Sequence, residues 1–100
     1  MTIQTTQTIY DEMIAHMQRE GGRPSSWYAG ITEDIDARLF GDHNVPRKGH
    51  WFVYRRAQSH QAARAVERAL LQYGCDGGTG GGDVDARFVY AYKKTSITIP

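Results

Sequence analysis

The chain has few of the residues that mark cross-linked or metal-stabilised domains. Cysteine occurs once in 100 residues, at Cys75, so neither an intrachain disulfide nor a cysteine-based zinc cage can form. A catalytic thiol needs a paired base. We therefore interpret Cys75 as a small residue at a helix end.

Long hydrophobic runs and a strong charge imbalance are also missing. No apolar segment approaches the ~18 residues that span a bilayer, and residues 1–5 lack the basic and apolar regions of a signal peptide. The formal net charge of +1 is too close to zero for a strong nonspecific binder of nucleic acid. We expect a cytoplasmic protein with no membrane partner.

The residues that are present suffice for one folded domain. The length is that of a single domain, which we assign to residues 1–100. Hydrophobic residues make up 40% of the chain, which is enough for one core, whereas a disordered chain would have fewer.

Apolar spacing and turn residues divide the chain into alternating helices and strands. Steps of three and four residues predict helices, and alternation with a period of two predicts strands. The predicted elements are a helix 8–21, a strand 27–31, a short helix 33–41, a strand 50–57, a helix 60–73 after Ser59, a glycine-rich loop 76–83 and a strand 86–94. Residues 95–99 fit either a fourth strand or a tail.

Hydroxyl residues and glycines set the predicted helix ends. Thr8, Thr32 and Ser59 are the predicted N-caps, and Gly41 and Gly74 the predicted stops. The order of elements predicts an α+β fold, with a small, mainly antiparallel sheet of three or four strands packed with three helices.

One strand-to-helix unit and the helix after Ser59 carry residues suited to chemistry. Tyr28-Ala29-Gly30 ends a predicted strand, Arg38 follows ten residues after Tyr28, and Glu67 lies on the predicted helix 60–73. This pattern resembles the second signature tripeptide, the catalytic arginine and the metal-binding glutamate of the GIY-YIG endonuclease family. The resemblance covers residues 27–73, and we call this segment the GIY-YIG-like core.

The resemblance implies a Mg²⁺-dependent endonuclease that acts on nucleic acid. Arg38 would contact the scissile phosphate, where a guanidinium stabilises the developing charge. Glu67 would bind Mg²⁺, and Tyr28 would assist the nucleophile. Gly30 would let a nucleic-acid backbone approach without a side chain in the way.

Two parts of the family pattern are displaced or missing. The family's first tripeptide lies on a strand shortly before the second and is joined to it by a tight hairpin, but no Gly-Ile-Tyr occurs here. The nearest string, Thr8-Ile9-Tyr10, falls in a predicted helix. The basic or aromatic residue expected four positions after Arg38 is replaced by Asp42, and His43, our candidate catalytic residue, comes one position later.

A basic segment in the middle of the chain suggests contacts with phosphates. Arg55, Arg56 and Arg64 lie in a stretch where Glu67 is the only acid, and we predict that they bind nucleic acid. The glycine-rich loop 76–83 is interpreted as a structural or recognition loop.

Each candidate residue also has a structural interpretation. Tyr28 fits a half-buried strand aromatic, and Arg38 fits a helix residue paired with Asp34 or Asp42. Glu67 fits an exposed partner of Arg64.

Three functions follow from these alternatives. The first is a Mg²⁺-dependent nuclease. The second is a noncatalytic module of phage or mobile-element origin that binds a protein or nucleic acid, and the third is a small structural or regulatory domain.

Overall fold

Three strands form one antiparallel sheet with the C-terminal strand in the centre. The computed structural model of the protein describes residues 4–49, 51–78 and 85–100. The strands are β1 (Trp27–Thr32), β2 (Phe52–Arg56) and β3 (Phe88–Lys93), in the order β1-β3-β2. The predicted α+β class with an antiparallel sheet is confirmed.

Two α-helices cover one face of this sheet. They are α1 (Thr6–Glu20) and α2 (His60–Tyr73). A 3₁₀ turn (Pro24–Ser26) precedes β1, and a π-helix (Asp36–Asp42) follows it.

The first helix begins earlier than its sequence predicts. Thr5, rather than Thr8, is the N-cap, and its side chain accepts a hydrogen bond from the Thr8 amide at 3.1 Å. Ile9, Met13 and Met17 form the buried stripe of α1. Their spacing of four residues places them on one side of the helix.

The predicted caps of α2 are confirmed. The Ser59 hydroxyl accepts a hydrogen bond from the Ala62 amide, and Gly74 ends the helix at φ 125°, a conformation that favours glycine. Cys75 follows in the core, with its Sγ 3.8 Å from the Sδ of Met17. Burial raises the pKa of this thiol to about 11, so Cys75 is a packing residue.

The short second helix differs from its prediction in type and in both ends. Thr32 is the last residue of β1 and not an N-cap. Asp34 caps the following turn instead, because its carboxylate accepts a hydrogen bond from the Ala37 amide at 3.1 Å. The helix is a π-helix that continues through Gly41 to Asp42.

The two faces of the sheet have different covers. On the helix-covered face, Trp27, Ala29 and Ile31 of β1 pack with α1 and α2. The other face, which we call the aromatic face, is rich in Tyr and Phe and packs against Ile35, Leu39 and Val45. The predicted alternation in β2 agrees with this division, since Val53 belongs to the first core and Phe52 contacts the second.

The last predicted elements are shorter than expected. The strand predicted over 86–94 spans Phe88–Lys93, and residues 95–99 form a tail with a turn rather than a fourth strand. His50 and residues 79–83 of the predicted glycine-rich loop lie outside the described residues. Asp76, at the start of that loop, pairs with the outer edge of β1, since its carbonyl accepts from the Ala29 amide at 2.8 Å.

Within residues 4–49, 51–78 and 85–100, no helix has the length and apolar character needed to cross a bilayer.

Candidate functional site

The register of β1 and β3 places a buried tyrosine over Gly30. Gly30 lies opposite Tyr90, and Tyr28 lies opposite Tyr92. A Cβ atom on Gly30 would come within 2.5 Å of the Tyr90 hydroxyl oxygen and 2.7 Å of its Cζ. The space above Gly30 therefore holds the Tyr90 ring, not an approaching nucleic-acid backbone as the sequence suggested.

The Tyr90 hydroxyl forms a hydrogen bond with His43. The Nε2 of His43 lies 2.7 Å from the Tyr90 oxygen, and its Nδ1 lies 2.7 Å from the carbonyl oxygen of Ile99. Because a carbonyl only accepts, Nδ1 carries the ring proton and Nε2 accepts from the Tyr90 hydroxyl. His43 is thus held in the tautomer that can receive a proton from Tyr90.

The π-helix accounts for the position of His43 in the sequence. In an α-helix the residue one turn after Arg38 would be residue 42, since the hydrogen bond spans four residues. Here the His43 amide donates to the Arg38 carbonyl at 2.9 Å, a five-residue step. The wider turn places His43 one turn after Arg38 despite the extra residue.

Arg38 lies beside the same phenol. Its Nε forms an ion pair with Asp42 at 3.2 Å, as one of the structural interpretations expected. Burial raises the pKa of Tyr90 to about 12, while the Arg38 guanidinium lowers that pKa and Tyr28 and Glu67 raise it. These three ionisable side chains therefore lie close enough to the Tyr90 hydroxyl to affect its pKa.

Tyr28 completes the aromatic part of the site. Its ring stacks on Tyr92 with a centroid distance of 5.3 Å and lies 5.0 Å from the His43 ring. Tyr28 is half-buried, whereas Tyr90 is only 1% exposed. Tyr28 is thus the more accessible of the two tyrosines.

Glu67 is buried, contrary to its interpretation as an exposed partner of Arg64. Its Oε1 lies 3.7 Å from the Arg64 Nη1, and only 6% of the residue is exposed. Burial raises the pKa of Glu67, and the nearby Arg64, Arg68 and His60 lower it. The Glu67 carboxyl is therefore shielded from solvent, with Arg64 as its ion-pair partner.

The described part of the chain contains no group of three or more His, Cys, Asp or Glu side chains that could hold a metal ion. The resemblance assigns Mg²⁺ to Glu67 alone.

The three arginines predicted to bind nucleic acid lie in separate surroundings. Arg55 forms a 2.8 Å ion pair with Glu12 of α1. Arg56 lies on the aromatic face, 6.0 Å from the Phe88 ring, and Arg64 lies beside Glu67. The structure does not join them into one patch.

Tyr90 was missed as a site residue by sequence reasoning. The alternation of Phe88, Tyr90 and Tyr92 predicts one shared face, but the pairing of β3 with β1 spans about sixty residues and has no local signal.

His43 offers a direct test of this arrangement. Its pKa is lowered from the ordinary 6.5, first by burial and then by Arg38, against opposing effects of Ile99 and Asp42. The unfolded chain therefore takes up a proton near pH 6.5 while the folded chain stays neutral. The stabilisation from His43 is complete above about pH 6.5 and is lost as the pH falls towards the lowered pKa.

Titration of the His43 ring by NMR should show a midpoint below 6.5 and a proton on Nδ1. The NMR titration is preferable to measuring how the free energy of unfolding changes with pH. Glu67, whose pKa is raised, makes that free energy change with pH in the opposite direction. A midpoint at or above 6.5 would contradict the burial of the ring. A proton on Nε2 of the neutral ring would contradict the described hydrogen bonds.

Comparison with known proteins gives no match for the chain among family models, curated proteins or solved structures.

Proposed function

We propose that the chain is a GIY-YIG-like domain that binds nucleic acid and hydrolyses a phosphodiester bond with Mg²⁺. The observation that carries this proposal is the hydrogen bond between Tyr90 and His43 beside Arg38. The sequence has no counterpart of the family's first signature tyrosine. In the family pattern that tyrosine lies on the strand that pairs with the strand of the second tripeptide, here the strand of Tyr28. β3 is the antiparallel neighbour of β1, and Tyr90 supplies a tyrosine there.

The hydrogen bonds define a path for a proton. Tyr90 donates to His43 Nε2, so the phenol can take a proton from an attacking water as it passes its own proton to His43. Burial raises the pKa of Tyr90 to about 12, and the Arg38 charge acts against that rise as the phenol passes on its proton.

Arg38 also has a role towards the substrate. A guanidinium beside the scissile phosphate stabilises the charge that builds on the phosphoryl oxygens as water attacks and the leaving oxygen departs. Glu67 would be the residue that holds Mg²⁺, which would supply further positive charge to the reaction. Tyr28, half-buried at the edge of the cluster, would orient the attacking water.

The experiment that tests this function is cleavage of nucleic acid by the purified chain. We expect nicking of a plasmid with Mg²⁺ or Mn²⁺ and none with EDTA. Duplex, branched and single-stranded DNA should all be offered. Failure to cleave any of them would contradict the proposed enzyme, and binding without cleavage would assign the noncatalytic module instead.

A further inference from the structure

A row of aromatic rings crosses β2 and β3 next to the candidate site. It consists of Phe40, Phe52, Tyr54 and Phe88, which we call the aromatic row. Ring centroids are 5.1 Å apart for Phe40 and Phe52, 6.4 Å for Phe52 and Tyr54, and 6.5 Å for Tyr54 and Phe88. The rings therefore form one continuous surface.

Part of this row is accessible to a ligand. Tyr54 is 41% exposed, and the other three rings are half-buried. Tyr54 and Phe88 line an open cleft of about 500 Å³, which Glu33, Asp34 and Asp36 also line. A flat ligand can reach the rings from this cleft.

Exposed guanidinium groups lie at both ends of the row. The Cζ of Arg47 lies 4.0 Å from the Phe40 ring centroid, and that of Arg56 lies 6.0 Å from the Phe88 centroid. Arg47 also pairs with Asp36 at 3.5 Å, but both side chains are mostly exposed, and such pairs are weak. Arg56 makes no ion pair with the described residues.

We propose that the aromatic row binds single-stranded nucleic acid. Its rings would stack on about two or three unpaired bases, while Arg47 and Arg56 bind the phosphates. Because Glu33, Asp34 and Asp36 line the cleft, the sugar–phosphate backbone would run along Arg47 and Arg56 rather than past these acids. A duplex cannot use these rings, since its base faces are already stacked.

The aromatic row lies next to the candidate site, so a strand bound to the row would be a substrate of that site. The inference therefore rests on the proposed function. Tyr54 and Phe52 lie opposite Tyr90 and Tyr92 in the register of β2 and β3, so they share the aromatic face. A strand stacked on the row continues towards Tyr90. The preferred substrate is therefore a single strand or an unpaired segment.

Fluorescence anisotropy with a labelled 12-nucleotide DNA tests the proposal, in EDTA so that no cleavage occurs. We expect the single strand to bind at least tenfold more tightly than the same sequence as a duplex. Tyr54→Ala should weaken single-strand binding about tenfold, because one base loses its stacking partner. Tyr54→Phe should keep the affinity within about twofold, since it retains the ring.

Matched substitutions elsewhere serve as controls. Leu71→Ala removes another exposed apolar side chain, at 36% exposure on α2, and should leave binding unchanged. Arg56→Ala should lower the salt dependence of binding by about one counterion, whereas Arg19→Ala, at an exposed position of α1, should leave it unchanged.

Equal binding by Tyr54→Ala and Leu71→Ala would overturn the inference, as would tighter binding of the duplex. Cleavage of duplex DNA without single-strand binding would overturn it and leave the proposed enzyme standing. Single-strand binding that depends on Tyr54, without cleavage, would support the inference and contradict the enzyme. Absence of all nucleic-acid binding would overturn both.

Discussion

Gly30→Ala is expected to lower the free energy of unfolding by about 1–3 kcal/mol, the usual cost of overpacking a well-filled core. The new Cβ would lie 2.5 Å from the Tyr90 hydroxyl oxygen and 2.7 Å from its Cζ. The ring must move, and it is 1% exposed and fixed by His43. The hydrogen bond to His43 and the proposed cleavage should be lost with the displacement.

Gly41→Ala is the matched control. Its Cβ would meet only the Asp36 carbonyl oxygen, at 3.8 Å, and alanine is energetically more favourable than glycine inside a helix. Urea unfolding should therefore show no loss of stability for Gly41→Ala. Equal stability of Gly30→Ala and wild type would contradict the described position of Tyr90.

Arg38→Ala is expected to reduce metal-dependent cleavage by about 100-fold or more, the effect of removing one charge-stabilising group from an active site. Stability should change by only about 1 kcal/mol or less, because the Arg38–Asp42 pair is partly exposed. The pKa of His43 should rise, since Arg38 lowers it in the wild type.

Arg19→Ala is the control for this change. Arg19 is a largely exposed arginine of α1 that pairs with Glu20, and its removal should leave cleavage and the His43 titration unchanged. Unchanged cleavage by Arg38→Ala would remove Arg38 from the proposed mechanism. A combined loss of cleavage and of folding would show a structural role instead.

The local elements of the site could be predicted from the sequence. The predictions of the strand that contains Tyr28-Ala29-Gly30, of the helix after Ser59 and of the alternation in β2 depend on spacing and caps within short segments. Those patterns predict structure well because the interactions that produce them are local.

The assembly of the site could not be predicted in the same way. His43 lies one residue too late for an α-helical turn after Arg38, and only the π-helix corrects this offset. A π-helix has one extra residue in its turn. No sequence pattern as regular as a heptad or a capping residue marks where that extra residue will occur. Tyr90 joins the site through strand pairing across the whole core, which depends on tertiary packing.

Burial of the charged groups was the least predictable feature. The three-residue step from Arg64 to Glu67 suggests an exposed ion pair, but the structure buries Glu67 on α2 while keeping that partner. Whether a helix residue lies at the edge or the centre of the buried side depends on neighbours that spacing does not specify.

The central claim is that the Tyr90 hydroxyl takes part in hydrolysis. It is tested most directly by comparing plasmid nicking with Mg²⁺ by wild type, Tyr90→Phe and Tyr92→Phe. Both substitutions remove one buried hydroxyl that contacts His43, but only Tyr90 donates to Nε2. We predict that Tyr90→Phe loses about 100-fold or more of the nicking rate, within the range for general acid–base groups, while Tyr92→Phe keeps most of it. Equal rates for the two variants would contradict the claim.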